Sequence, residues 1–167
     1  LNKQLSNRLQ PVHGEWSELF AAVEEGRLPA VTSITPRVHD GDVFSFTNPY
    51  LHTPHVIVTR KGGDYLANET DLNGKILALE RGFGNIDYFS SLYPEVSLQL
   101  YPNTSLALDA VARGEADAYA GNRAVASYLM RQELLHNLEM HGRLQREEVP
   151  LSIGVRKDWQ ILRDILD

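Results

Sequence analysis

Residues 75–88 read Lys75-Ile76-Leu77-Ala78-Leu79-Glu80-Arg81-Gly82-Phe83-Gly84-Asn85-Ile86-Asp87-Tyr88. Ile76–Leu79 is an apolar run of strand length. Gly82-Phe83-Gly84 follows as a turn, and Asn85 is a favourable helix N-cap before the apolar-periodic Ile86-Asp87-Tyr88-Phe89. The order is strand, glycine turn, helix. Glycines in such a turn let the backbone take positive φ and let a ligand approach the main chain closely. The unpaired N–H groups of the first helical turn then offer a seat for a carboxylate or another small anion. A lone Gly-x-Gly also serves as plain turn chemistry, so the stretch carries both readings.

The chain has 167 residues and is 43% hydrophobic, enough to bury a core as one domain or as two small lobes. A net charge of −6, with no basic run interleaved with aromatics, argues against a nucleic-acid partner. No apolar stretch reaches membrane-spanning length, and no signal-peptide pattern stands at Leu1. Leu1, Leu5 and Leu9 read as a helix already under way, which fits a piece of a longer protein. With no cysteine, disulfides, thiolate catalysis and Cys-ligated zinc are excluded.

Outward from residues 75–88, helices and strands alternate. Trp16, Leu19, Phe20 and Val23 share one helical face, with Gly26 just past the end. Ala30–Ile34, Phe44–Thr47 and Val56–Thr59 read as strands, with loops over Val38–Asp42 and Lys61–Asn68. Val96–Tyr101 is a strand, Ser105–Arg113 a helix stopped by Gly114, and Ala116–Ala120 a strand. Asn122 caps a helix over Arg123–His136, Leu151–Val155 is a last strand, and Trp159–Leu166 a terminal helix. The expected class is α/β with mainly parallel sheets. Ala22-Val23-Glu24-Glu25-Gly26 and the residues to Ala30 echo Ala110-Val111-Ala112-Arg113-Gly114 and the residues to Ala118. Two such helix–Gly–strand units in different halves suggest two lobes, each with polar groups at its strand ends. Open α/β sheets bind ligands there.

The series Thr35-Pro36-Arg37, Phe46-Thr47-Asn48-Pro49-Tyr50, Leu72-Asn73-Gly74-Lys75, Gly82-Phe83-Gly84 and Gly114–Asn122 resembles the periplasmic solute-binding proteins of the amino-acid type (family 3). It is most similar to the Venus-flytrap sensor domains of BvgS-like hybrid histidine kinases, above all over Ser105–Gln132. The resemblance covers nearly the whole chain. It implies a type II two-lobe fold with lobe one at 1–50 and 151–167, lobe two at 56–147, and hinges near 50–55 and 148–151. The family's first strand and the end of its tail have no counterpart here.

The resemblance implies a ligand site. Trp16 stands at an aromatic wall, Ser33 where a hydroxyl or backbone group meets a ligand carboxylate, and Arg37 near the arginine that pairs with it. Gly82, Phe83 and Gly84 match a turn of backbone donors. Glu80 stands where some amino-acid binders carry lysine, and Asn122 where they carry aspartate. Both departures weaken the case for an α-amino acid. Trp16 also reads as core, Arg37 as a solvated arginine, and Asn122 as a simple N-cap.

His52 and His55 flank Pro54 without a third ligand at metal spacing, so they read as hinge residues and no metal is expected. No Gly-x-Ser-x-Gly or His-Glu-x-x-His occurs, and Glu80 is the single candidate for cleft acid–base chemistry. The resemblance therefore implies a periplasmic, non-enzymatic sensor domain without cofactor, signalling by lobe opening and closing. Its expected partners are a small carboxylate-bearing molecule or amino acid, a membrane-anchored histidine kinase in the same chain, and a second copy in a homodimer. The alternatives are a freestanding receptor of an ABC-type transporter and an enzyme on the same fold, such as a dehydratase or a transglycosylase-associated domain.

Overall fold

The computed structural model describes every residue except 1, 2, 4–7, 37 and 147. Most of the helix expected over Leu1–Leu9, and Arg37, lie outside the described residues. The chain forms two units, residues 1–51 with 150–167 and residues 52–149, so it passes from one to the other twice.

In the first unit, helix α1 (Trp16–Glu24) packs on a sheet of β1 (Ala30–Ile34), β2 (Phe44–Phe46) and β9 (Val149–Arg156), and β3 (Leu51–Thr53) begins at that unit's last residue before the passage to the second. The order is β1-β9-β2, both outer strands antiparallel to β9, and β3 also pairs with β9. The core is Val23, Val31, Ile34 and Phe44. The short helix α5 (Gln160–Leu166) follows a 3-10 turn over Lys157–Trp159.

The second unit holds a five-stranded sheet of β4 (His55–Arg60), β5 (Ile76–Glu80), β6 (Ser97–Tyr101), β7 (Ala118–Asn122) and β8 (Leu138–Arg143), in the order β6-β5-β7-β4-β8. Helices α2 (Asn85–Leu92), α3 (Thr104–Arg113) and α4 (Arg123–Gln132) connect its strands. Successive strand residues feed opposite faces. Val56, Val58, Ala78 and Tyr119 join one core cluster, while Ile57, Leu77, Leu79, Ala118 and Ala120 join the other. With both faces covered, β5 is an apolar run rather than an alternating one.

The class is the expected two-lobe α/β, but with more antiparallel pairing than strand–helix alternation implies. In the five-stranded sheet β5 is parallel to both β6 and β7, while β4 is antiparallel to both β7 and β8. The stretch expected to be a loop at Val38–Asp42 is a 3-10 turn.

The helix–Gly–strand echo has a common hydrogen-bond pattern. Gly26 (φ +81°) and Gly114 (φ +83°) both take the left-handed conformation. Arg27 and Leu28 N–H close on the Ala22 carbonyl, as Glu115 and Ala116 N–H close on Ala110. Each glycine ends its helix by returning N–H groups to orphan carbonyls.

Candidate functional site

In the first unit, Trp16 opens α1 and stacks on Phe20 (5.0 Å between centroids, 23° between planes), which meets Phe44 at 5.2 Å. Trp16 thus belongs to the aromatic side of this unit's core. Ser33 sits at φ +60° where the β1–β9 register shifts between Val31 and Ile34. A non-glycine residue there costs about 1–3 kcal/mol and persists only where its surroundings hold it. Tyr50 supplies the hold: its hydroxyl accepts from the Ser33 N–H at 3.0 Å and lies 3.1 Å from the Ser33 hydroxyl.

In the second unit, β5 ends on Glu80, only 2% exposed. Glu80 is therefore an enclosed carboxyl and not a solvated one at the strand end. Thr104 and Tyr119 donate their hydroxyls to Glu80 Oε1 at 2.6 and 2.7 Å, and Oε2 is enclosed without a hydrogen-bond partner. Burial pushes the Glu80 carboxyl above its ordinary value, against the two hydroxyl bonds, which favour ionisation. The strand then turns through Gly82 (φ +78°), Phe83 and Gly84 into α2.

Gly84, not Asn85, is the N-cap, and it makes no side-chain cap. Asn85 is inside the helix and buried, because its amide is needed elsewhere. Its Nδ2 donates to the Ala120 carbonyl of β7 at 3.0 Å, and its Oδ1 accepts from Arg146 Nη1 at 3.1 Å. The Arg146 guanidinium lies over the Tyr88 ring at 4.5 Å. Tyr88 donates its hydroxyl to the buried Glu69 at 2.7 Å, and Gln145 N–H donates to the same oxygen at 2.8 Å. His55, at the start of β4, is held neutral to about pH 4, first by burial and then by Arg146, partly opposed by its bond to Asn85. Sequence reasoning gave Arg146, Tyr88 and Glu69 no role. They lie far apart along the chain, and no local motif joins them.

Asn122 ends β7 and does cap α4, accepting from Ala124 and Val125 N–H at 2.9 and 3.2 Å. Its Nδ2 donates to Thr53 Oγ1 at 3.1 Å. Asn122→Ala loses both, so the unfolding free energy should fall by about 1–2 kcal/mol in urea titration. Asn122→Asp keeps the cap and should recover most of that loss. An alanine variant as stable as the parent would contradict this role.

Compared with known proteins, the chain matches no family model. It is 26% identical over 150 residues to the virulence sensor protein BvgS of Bordetella pertussis, an alignment covering 90% of this chain and 12% of that protein. It is 27% identical over 158 residues to the amino-acid-binding protein AabA of Dichelobacter nodosus, covering 91% and 61%. Among solved structures, a histidine kinase sensor domain with similarity to periplasmic binding proteins superposes with a TM-score of 0.86 at 26% identity, over 97% of this chain and 71% of that one. The chain is similar to periplasmic binding proteins and to sensor domains that resemble them. These relatives are a sensor protein, a sensor domain and an amino-acid-binding protein, and the likeness to sensors is at least as good as the likeness to the amino-acid-binding protein. The chain spans about an eighth of the BvgS protein (12% of its length).

Proposed function

We propose that this chain is the periplasmic sensor domain of a membrane-anchored histidine kinase, responding to a small carboxylate-bearing molecule or amino acid by lobe opening and closing. The observation that carries it is the likeness to a kinase sensor domain along 97% of the chain. The ligand shifts the equilibrium only by its differential affinity for the two states. In the first unit the ligand residues are Trp16, Ser33 and Arg37. The strained Ser33, pinned by Tyr50, supports this, because such strain gathers at ligand clamps. In the second they are the Gly82, Phe83 and Gly84 turn together with Glu80 and Asn122. Glu80 and Asn122 both spend side-chain bonds inside the fold, so their part is to shape the strand ends. A second copy of the chain is a further proposed partner.

The likeness to AabA favours a second reading, a freestanding receptor for a transporter. The full-length protein in membrane vesicles separates them. The sensor reading expects autophosphorylation whose rate changes with an added small carboxylate. A full-length protein without a kinase, passing solute to a permease, would overturn it.

A further inference from the structure

The Arg146 guanidinium is fixed in orientation, and its charge makes no ion pair with any other described residue. Stacking on Tyr88 sets its plane, and the Nη1 bond to Asn85 Oδ1 sets its rotation. Asn85 is itself tied to the Ala120 carbonyl, so the support beneath the guanidinium belongs to the sheet. Among the described residues no carboxylate lies within 4.0 Å of it. Glu69, the acidic group it senses, is turned to the Tyr88 hydroxyl and the Gln145 N–H. Arg146 is half-buried. A partly desolvated cation with no carboxylate at ion-pair distance is costly unless an anion completes it. Asn85 follows directly on the Gly82–Gly84 turn, so this cation stands beside the turn proposed above for the ligand.

We propose that Arg146 is the anion receptor of the second unit, its outer edge taking a ligand carboxylate through a two-oxygen fork. This rests on the ligand-binding reading above and names the group that reads the ligand's charge. An arginine suits the task better than a lysine, since its planar fork matches two carboxylate oxygens and its face stacks on a phenol. The bland alternative is a cation–π clamp that merely ties residues 145–149 to α2.

The test uses the purified protein with Arg146→Gln and Arg146→Lys. The probes are succinate, L-glutamine and L-arginine, with succinamide as the uncharged counterpart of succinate. Binding is read by calorimetry and ligand-free stability by melting temperature. Losing one partner of a desolvated charge pair corresponds to roughly thirtyfold or more in Kd. The expected result is that at least one carboxylate probe binds, that Arg146→Gln weakens it by that factor, and that Arg146→Lys falls between. If succinate is the probe bound, succinamide should not bind. A carboxylate bound equally by parent and Arg146→Gln overturns the assignment of Arg146 and leaves the ligand-binding reading standing. A lower melting temperature in Arg146→Gln with unchanged Kd would identify the clamp. No binding of any carboxylate by the parent overturns both. Phenylglyoxal gives an independent readout: Arg146 should modify readily and be protected by the bound carboxylate, and an unreactive or unprotected Arg146 counts against the proposal.

Discussion

Gly121→Ala should destabilise the second unit by about 3 kcal/mol, the sum of overpacking and a broken buried hydrogen bond. The bare Cα of Gly121 leaves the space that the Tyr119 phenol occupies two residues earlier on the same face of β7, and a Cβ there would overlap the ring and its hydroxyl. Tyr119 is fully buried and its hydroxyl donates to Glu80 at 2.7 Å. An added methyl must push the phenol aside and detach it from Glu80. At roughly 2–4 °C per kcal/mol for a chain of this size, the melting temperature should fall by about 6–12 °C. A double-mutant cycle sharpens the claim. Tyr119→Phe removes the colliding hydroxyl, so Gly121→Ala should cost less in that background than alone. Additive effects, or a melting temperature within about 2 °C of the parent, would contradict the packing described.

Acidification should destabilise the protein through His55. Its ring is kept neutral in the fold, with a pKa lowered from 6.5 to about 4 by burial and by Arg146, while the bond to Asn85 acts the other way. The unfolded chain binds this proton below about pH 6.5 and the folded chain does not. The associated stability is therefore full above pH 6.5 and is lost as pH falls toward 4. A fall from 6.5 to about 4 is worth about 3 kcal/mol. Glu80 acts in the opposite sense. Its folded carboxyl is raised, so its contribution is full below the ordinary value of 4.5 and is lost as pH rises through the folded value. Urea unfolding from pH 4 to 8 of the parent, His55→Gln and Glu80→Gln separates the two. His55→Gln should flatten the acid loss, and Glu80→Gln should deepen the net slope. An unchanged acid limb in His55→Gln would show that the ring is not held neutral.

The parts of the fold legible in the sequence are those fixed by local chemistry. β1 and the run into the Gly82–Gly84 turn follow from apolar runs and glycine stops. Ends moved where tertiary bonds compete: β7 starts at Ala118 because Ala116 N–H is already spent closing on Ala110. α4 stops at Gln132, and Leu134 two residues on takes φ +56°. Strands β3 and β8 escaped notice. The first has three residues beside Pro54, and the second, Leu-Glu-Met-His-Gly-Arg, carries charges and a glycine on a sheet edge. Gly121 and Asn122 close the Gly114–Asn122 stretch, and the structure gives each a packing reason, room for Tyr119 and the cap of α4. The cluster of Arg146, Asn85, Tyr88 and Glu69 was illegible, since it exists only once Arg146 meets Asn85, 61 positions away, and Tyr88 meets Glu69, 19 positions away.

A thermal-unfolding screen of the purified protein against amino acids, small organic acids and inorganic anions tests the ligand-sensor reading most directly. A ligand present at one hundred times its dissociation constant adds about 2.7 kcal/mol, which for this chain length is roughly 5–11 °C. The expected result is a shift of that size confined to one class of carboxylate-bearing compound. A flat response across every class would contradict a small-ligand sensor.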